Sequence, residues 1–244
     1  MTAIPWIDED RSFPSPRQFI QKNPELPEDL IALSESMDEE LLLEAYRQGI
    51  FPWYNEGQPV MWWCTSPRMV LKCSEIKISH SLHKKMKQVL KNPLWEIKVD
   101  TAFIEVIQAC SNAQRKNQQG TWITNEIIAY YSILNQQGFA HSVETWFDGN
   151  LVGGLYGINL GKMFYGESMF MHVTDSSKLA LAALCAWCNQ VGIELIDCQQ
   201  QTQHLSSLGA KPISKIEFLD WIDSQVNLPP PSWNWNKSVL CAYN

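Results

Sequence analysis

The chain has 244 residues, 45% hydrophobic and 18% charged, with a net charge of -7. That length and balance exclude a disordered or fibrous protein and leave room for one large or two smaller domains. No apolar run approaches the roughly 18 residues of a membrane helix, and the acidic, proline-rich opening MTAIPWIDEDRSFPSP has no signal-peptide layout, so a cytoplasmic location is the default.

Taken in chain order, residues 38–47 (DEELLLEAYR) predict a short helix with acids in its first turn and Gly49 ending it. Residues 49–68 follow, with five aromatics and four prolines or glycines after the opening Gly49. Such a stretch predicts a rigid aromatic loop or a pair of short strands forming one wall of a site. Ser81–Leu90 reads as a helix with Leu82, Met86 and Leu90 on one stripe, and residues 101–113 as another. Thr124 can cap a helix running to about Gln136, closed by Gly138.

The pattern then changes. Residues 141–146, 151–160 and 163–170 read as an antiparallel meander, with turns at Asp148-Gly149 and Gly161-Lys162. Asp175 or Ser176 caps a helix closed by Gly192, a buried strand occupies 194–199, and the tail LPPPSWNWN is a stiff surface segment. A helical half followed by β-β-β-α-β predicts an α+β layer architecture, in which the returning strand can lie parallel to an earlier one and splay the sheet.

Charge is unevenly spread. Residues 1–45 carry eleven carboxylates against three basic groups, whereas residues 72–116 carry nine basic groups against four carboxylates. The second segment can meet phosphates although the whole molecule is acidic. From spacing alone, a solvated helix face explains these lysines better. The seven cysteines are odd in number and scattered, which argues for reduced thiols. Cys185-Ala-Trp-Cys188 lies late in a helical pattern with no second pair, so buried small hydrophobes are the better reading than a metal or redox site.

Three polar residues stand where polar groups are costly: Glu167 within FYGESMF, and Asp197 and Gln199 within LIDCQ. Strand alternation puts Asp197 and Gln199 on one face and Cys198 on the other. Each alone fits a buried hydrogen-bond network equally well, but three together favour a site. Trp53, Trp62, Trp63 and Trp122 are core residues by base rate, yet their glycine- and proline-rich surroundings suit rings presented to nucleobases. His204, a lone histidine, reads as structural. No P-loop, Rossmann fingerprint, zinc spacing or Ser-His-Asp order is present.

In order along the chain, GIFPWY (49–54), PVMWW (59–63), SPR (66–68), GTWIT (120–124), LVGGLYG (151–157), GESMF (166–170), SSKLAL (176–181), IDCQ (196–199) and HLSSLGA (204–210) together resemble the leucyl/phenylalanyl-tRNA–protein transferase family. The resemblance runs from about residue 27 to 220. The chain departs from the family's usual pattern at LSESMD (33–38), Cys64, Ser66, Met171, Thr202 and Lys215.

The resemblance implies a small N-terminal domain, residues 1–68, and a larger acetyltransferase-like (GNAT) domain, residues 69–244, with a mixed sheet flanked by helices. It implies transfer of Leu, Phe or Met from aminoacyl-tRNA to proteins beginning with Arg or Lys, marking them for degradation, with no metal or organic cofactor; nothing in the sequence demands more than a monomer. Asp197, Gln199 and Glu167 would then be catalytic, with Asp197 orienting Gln199. Trp53 and Trp122 would flank the terminal adenosine, and Leu155, Phe164, Met169, Leu181, Leu184 and Ile196 would form the amino-acid pocket. Lys84, Lys85, Lys87, Lys91, Arg115 and Lys116 would hold the tRNA. Two rivals are an acetyl-CoA-dependent N-acetyltransferase, disfavoured because HVTDSSK (172–178) has no glycine for a pyrophosphate loop, and a non-catalytic tRNA- or peptide-binding homologue.

Overall fold

A computed structural model describes residues 4–7, 11–19, 26–113 and 121–243. Its first sheet has three antiparallel strands: β1 (Leu30–Ser34), β2 (Phe51–Pro52) and β3 (Val60–Trp63), with β3 in the middle. Between β1 and β2 runs α1 (Glu39–Arg47), which buries Leu41, Leu42, Ala45 and Tyr46. The Asp38 carboxylate caps it by accepting the Leu41 N–H at 2.9 Å. Gly49 leaves the helix at φ 73°, and a Cβ there would stand 2.9 Å from Ile222. Only glycine suits both the left-handed turn and that close approach.

The aromatic stretch 49–68 therefore forms the pair of short strands β2 and β3. The main sheet begins at β4 (Arg68–Lys72). Next come α2 (His80–Lys91), β5 (Trp95–Val99), α3 (Phe103–Ser111) and α4 (Asn125–Gln136). Thr124 caps α4 through the Ile127 N–H, as its sequence predicts. In α2 the buried stripe is Leu82, Met86 and Val89, with Leu90 half-buried.

The meander is β6 (Ala140–Phe147), β7 (Asn150–Leu160) and β8 (Met163–Met171). Then follow α5 (Ser176–Val191), β9 (Leu195–Asp197), α6 (Gln203–Ser207), β10 (Lys211–Ile213) and α7 (Lys215–Gln225). Neither Asp175 nor Ser176 caps α5 with its side chain. Asp175 occupies the cap position in a left-handed conformation, its carboxylate is taken by Lys178 at 2.7 Å, and the Ser176 hydroxyl donates to Val152 O and Val173 O. Gly192 does close the helix at φ 77°.

Seven strands pair in the order β10-β4-β9-β8-β7-β6-β5. The β8–β9 contact is parallel and the others are antiparallel. Successive residues of β4 and β7 face opposite sides. Val70 and Tyr156 join a core with α1, α3, α4 and α7, while Met69, Leu71 and Leu155 join one with α5 and α2. The result is a mixed sheet flanked by helices on both faces. The proline-rich tail does more than run over the surface. Ser232, Asn234 and Asn236 are exposed, but Trp233 and Trp235 are half-buried against the α5 side, because an extended segment turns alternate side chains inward.

Candidate active site

The parallel strands β8 and β9 share only two residue pairs, Phe164↔Ile196 and Tyr165↔Asp197. Beyond them β8 stays paired with β7, while the chain after Asp197 follows β4. There Cys198 N–H donates to Met69 O at 2.9 Å, and Met69 N–H donates to Gln199 O at 3.2 Å. Each strand thus keeps its outer neighbour while the two part from each other, and the splay predicted from strand order is the mouth of a cavity of about 570 Å³.

Leu155, Phe164, Met169, Leu181, Leu184 and Ile196 all line this cavity. Three strands and one helix deliver them, with Leu181 and Leu184 one turn apart on α5. Trp53 and Trp122 line the same space, the first 37% exposed and the second 8%. His204 also lies on its wall, exposed.

Glu167 and Gln199 are the polar groups that meet across the opening. Glu167 Oε1 accepts from the Tyr46 hydroxyl at 2.6 Å and from Gln199 Nε2 at 3.2 Å. That bond leaves Gln199 Oε1 as the amide's acceptor end. Tyr46 is in turn hydrogen-bonded to the Tyr131 hydroxyl, and Tyr165 donates to the Tyr46 carbonyl at 2.8 Å. Loss of water pushes the Glu167 carboxyl up to about 7, and the Asp197 charge adds to the rise against the lowering by Tyr46. Desolvation, and then the charge of Glu167, lift Tyr46 and Tyr131 well above the usual tyrosine value, so both remain hydroxyl donors. These tyrosines escape notice in the sequence because each sits at an ordinary apolar position of its helix.

Asp197 stands behind the cavity. It is wholly buried and is not among the residues of the cavity wall, whereas its neighbours Ile196 and Cys198 are. Its Oδ1 accepts from Arg68 Nε at 2.8 Å and its Oδ2 from Arg68 Nη2 at 2.6 Å. The regular strand ends at Asp197, and Gln199 adopts φ 53°. That left-handed turn, not strand alternation, brings Gln199 to the cavity. Asp197 Oδ1 also accepts the Gln199 backbone N–H at 2.9 Å, so it is tied to the turn that carries Gln199.

Arg68 is the partner that sequence reasoning missed, although SPR was among the motifs. Fully buried, it lies between the rings of Phe51 and Phe218, at 4.8 and 4.4 Å from their centroids. One signal was available: a buried aspartate needs a cation, and Arg68 opens the strand beside β9.

Of the expected tRNA contacts, Lys84, Lys87 and Lys91 are exposed on α2. Lys85 lies 4.1 Å above the Trp95 ring. None of the four lines the cavity. Arg115 and Lys116 lie outside the described residues. Cys185 and Cys188 are buried inside α5, in keeping with their reading as small hydrophobes. At the N-terminus of α5, β7 packs so closely that a Cβ on Gly153 would stand 2.2 Å from Ser176 Oγ. That crowding leaves the helix end filled by its own strand. Thr202 caps α6 through the Leu205 N–H.

The splayed α+β sheet thus holds an apolar pocket that ends at a carboxyl and an amide, an arrangement open to acyl transfer. The chain belongs to the leucyl/phenylalanyl-tRNA–protein transferase family: the model "Leucyl/phenylalanyl-tRNA protein transferase" matches residues 70–223, and that of its N-terminal domain matches 36–66. Proteins named leucyl/phenylalanyl-tRNA–protein transferase are 52% identical in Cupriavidus pinatubonensis, over 97% of this chain and 95% of theirs, and 49% identical in Ralstonia pickettii, over 97% and 96%. The chain is accordingly an aminoacyltransferase. Among solved structures, a GCN5-related N-acetyltransferase from Kribbella flavida aligns over 75% of this chain and 63% of its own, at 11% identity and a TM-score of 0.32.

Proposed function

We propose that the cavity receives the leucyl, phenylalanyl or methionyl side chain of an aminoacyl-tRNA, and that a protein beginning with Arg or Lys presents its α-amine beside Glu167 and Gln199. The observation carrying this reading is a single cavity whose wall joins six apolar side chains, Trp53, Trp122, Glu167 and Gln199. Its apolar end suits a Leu or Phe side chain, its indoles suit the terminal adenosine, and its acid–amide pair suits a cationic amine.

The donor ester is already activated, so no nucleotide is consumed. The neutral amine attacks the ester carbonyl, the new C–N bond forms as the bond to the ribose oxygen breaks, and the amine's surplus proton ends on that oxygen. An α-amine near 7.7–8.0 is neutral in roughly a tenth to a fifth of molecules at pH 7, so positioning does more than basicity. Gln199 Oε1 accepts an amine N–H and aims the lone pair. Glu167, poised near neutrality, ionises more readily once a cationic terminus arrives, and the two charges hold each other. Asp197, through the Gln199 backbone, keeps the amide in place. Lys84, Lys85, Lys87 and Lys91, with Arg115 and Lys116, hold tRNA phosphates.

We read the domain division at about residue 68; in support, the strands of the three-stranded sheet precede it and β4 opens the larger one. We read the protein as a monomer acting in the cytoplasm, where such acceptors are marked for degradation.

The test is transfer of labelled leucine or phenylalanine from its tRNA to two matched peptides, one beginning with arginine and one with alanine, without ATP or CoA. Label on the arginine peptide alone is expected. Label on both removes the acceptor rule, and label on neither removes the proposed reaction.

A further inference from the structure

The C-terminal segment packs behind the apolar pocket without lining it, and it lies beyond the residues that the family model matches. The Trp233 indole stacks on His141, with centroids 4.0 Å apart and planes 8° from parallel. It meets Trp187 of α5 at 4.2 Å and Phe164 of β8 at 5.6 Å, and its N–H donates to Asn159 Oδ1 at 3.0 Å.

These neighbours are themselves fixed. His141 is held between Asp100 Oδ2 at 2.7 Å and the Gly138 carbonyl at 3.1 Å. The Asn159 amide donates to the carbonyls of Gly161 and Met163. Farther along, the Lys237 ammonium donates to the carbonyls of Val89, Asn92 and Trp95, and the Tyr243 hydroxyl donates to Ala182 O at 3.0 Å. Ala182 sits between the pocket residues Leu181 and Leu184.

Phe164 is the neighbour that reaches the pocket. Its ring fills the space that Gly157 leaves open, since a Cβ there would stand 2.6 Å from its Cζ. With Gly157 at its tip and Trp233 against it, the ring has no room to withdraw. Trp187 lies one helical turn beyond Leu184 and stacks on Trp235, with centroids 5.6 Å apart.

We infer that Trp233, with the segment running to Tyr243, is a positioning element that sets the depth of the pocket and thereby the preference between leucyl and phenylalanyl donors. The inference rests on the reading of this cavity as the donor pocket. A phenyl group reaches deeper than an isobutyl group, and only a wall that cannot yield turns that difference into selectivity. Differences of this size in a rigid apolar pocket are worth roughly 10–200-fold.

The experiment compares kcat/KM for phenylalanyl- and leucyl-tRNA, with an arginine-initial peptide, in the intact protein and in Trp233→Ala, Trp233→Phe and Leu184→Ala. Removing the indole lets Phe164 recede, so in Trp233→Ala the Phe/Leu ratio is expected to rise about tenfold. Trp233→Phe keeps a ring in the stack and should shift the ratio less. A merely destabilising change lowers both donors together and leaves the ratio alone. If Leu184→Ala moves the ratio and Trp233→Ala does not, the inference is overturned while the donor pocket stands. If neither moves it, the donor-pocket reading falls, and the inference with it. Should Trp233→Ala not fold, Trp233→Leu replaces it under the same criterion.

Discussion

Arg68 and Asp197 bury opposite charges with full side-chain desolvation on both sides. Breaking such a pair strands the survivor, so Asp197→Ala is expected to lose about 3–5 kcal/mol in urea unfolding. Replacing both, as Arg68→Met with Asp197→Leu, should recover much of that stability but not turnover, because the Gln199 N–H loses the acceptor that holds its left-handed turn. Recovery of turnover as well would reduce Asp197 to a packing residue. Glu167 carries a pH signature. Its folded carboxyl is pushed up to about 7, so the fold binds a proton that the unfolded chain releases in the ordinary carboxyl range. Its proton-bound stability is therefore complete below that range and is lost as pH rises through about 7, by roughly 1–3 kcal/mol. Glu167→Gln should flatten this decline, seen as unfolding free energies of variant and parent that diverge between pH 5 and pH 8. Parallel curves would contradict it. At this scale the sequence exposes Glu167, Asp197 and Gln199, since each interrupts an apolar run. It conceals Tyr46, Tyr131 and Arg68, whose significance lies wholly in partners distant along the chain.

Among the elements, α2 offers the clearest separation of surface from site. Ser79 caps it, Leu82, Met86 and Val89 anchor it, and Lys84, Lys87 and Lys91 face water. If those lysines hold phosphates, changing all three to glutamine should raise KM for charged tRNA, leave kcat unaltered, and lower the slope of log affinity against log salt by about one unit per lysine engaged. An unaltered slope would leave α2 as a solvated face. Elements with caps and a long period, such as α1, α4 and the β6–β8 meander, are legible in the sequence. Strands β1, β4, β5 and β10 are not, because each has five residues or fewer and so short a run carries little periodicity.

For the molecule as a whole, the three-stranded and seven-stranded sheets share one core, in which Ile31, Leu42 and Trp62 lie with Tyr165, Phe218 and Ile222. Thermal unfolding followed by tryptophan fluorescence and by far-ultraviolet circular dichroism should therefore give coincident curves. Two separate transitions would mean that the sheets melt independently. By itself the sequence determined the order of the principal helices and the meander, the α+β class and, through ordered motifs along most of the chain, the family. Resemblance to the family also marked the six apolar residues that meet in one cavity, whereas the elements came from local periodicity and residue type, which are properties of neighbours along the chain. Tertiary structure alone decided that Asp197 stands behind the wall, that Gln199 turns into the cavity, that two tyrosines meet Glu167 and that Trp233 backs Phe164. Each of those outcomes depends on which buried groups find partners across the sheet, and that pairing is settled only when the chain closes on itself.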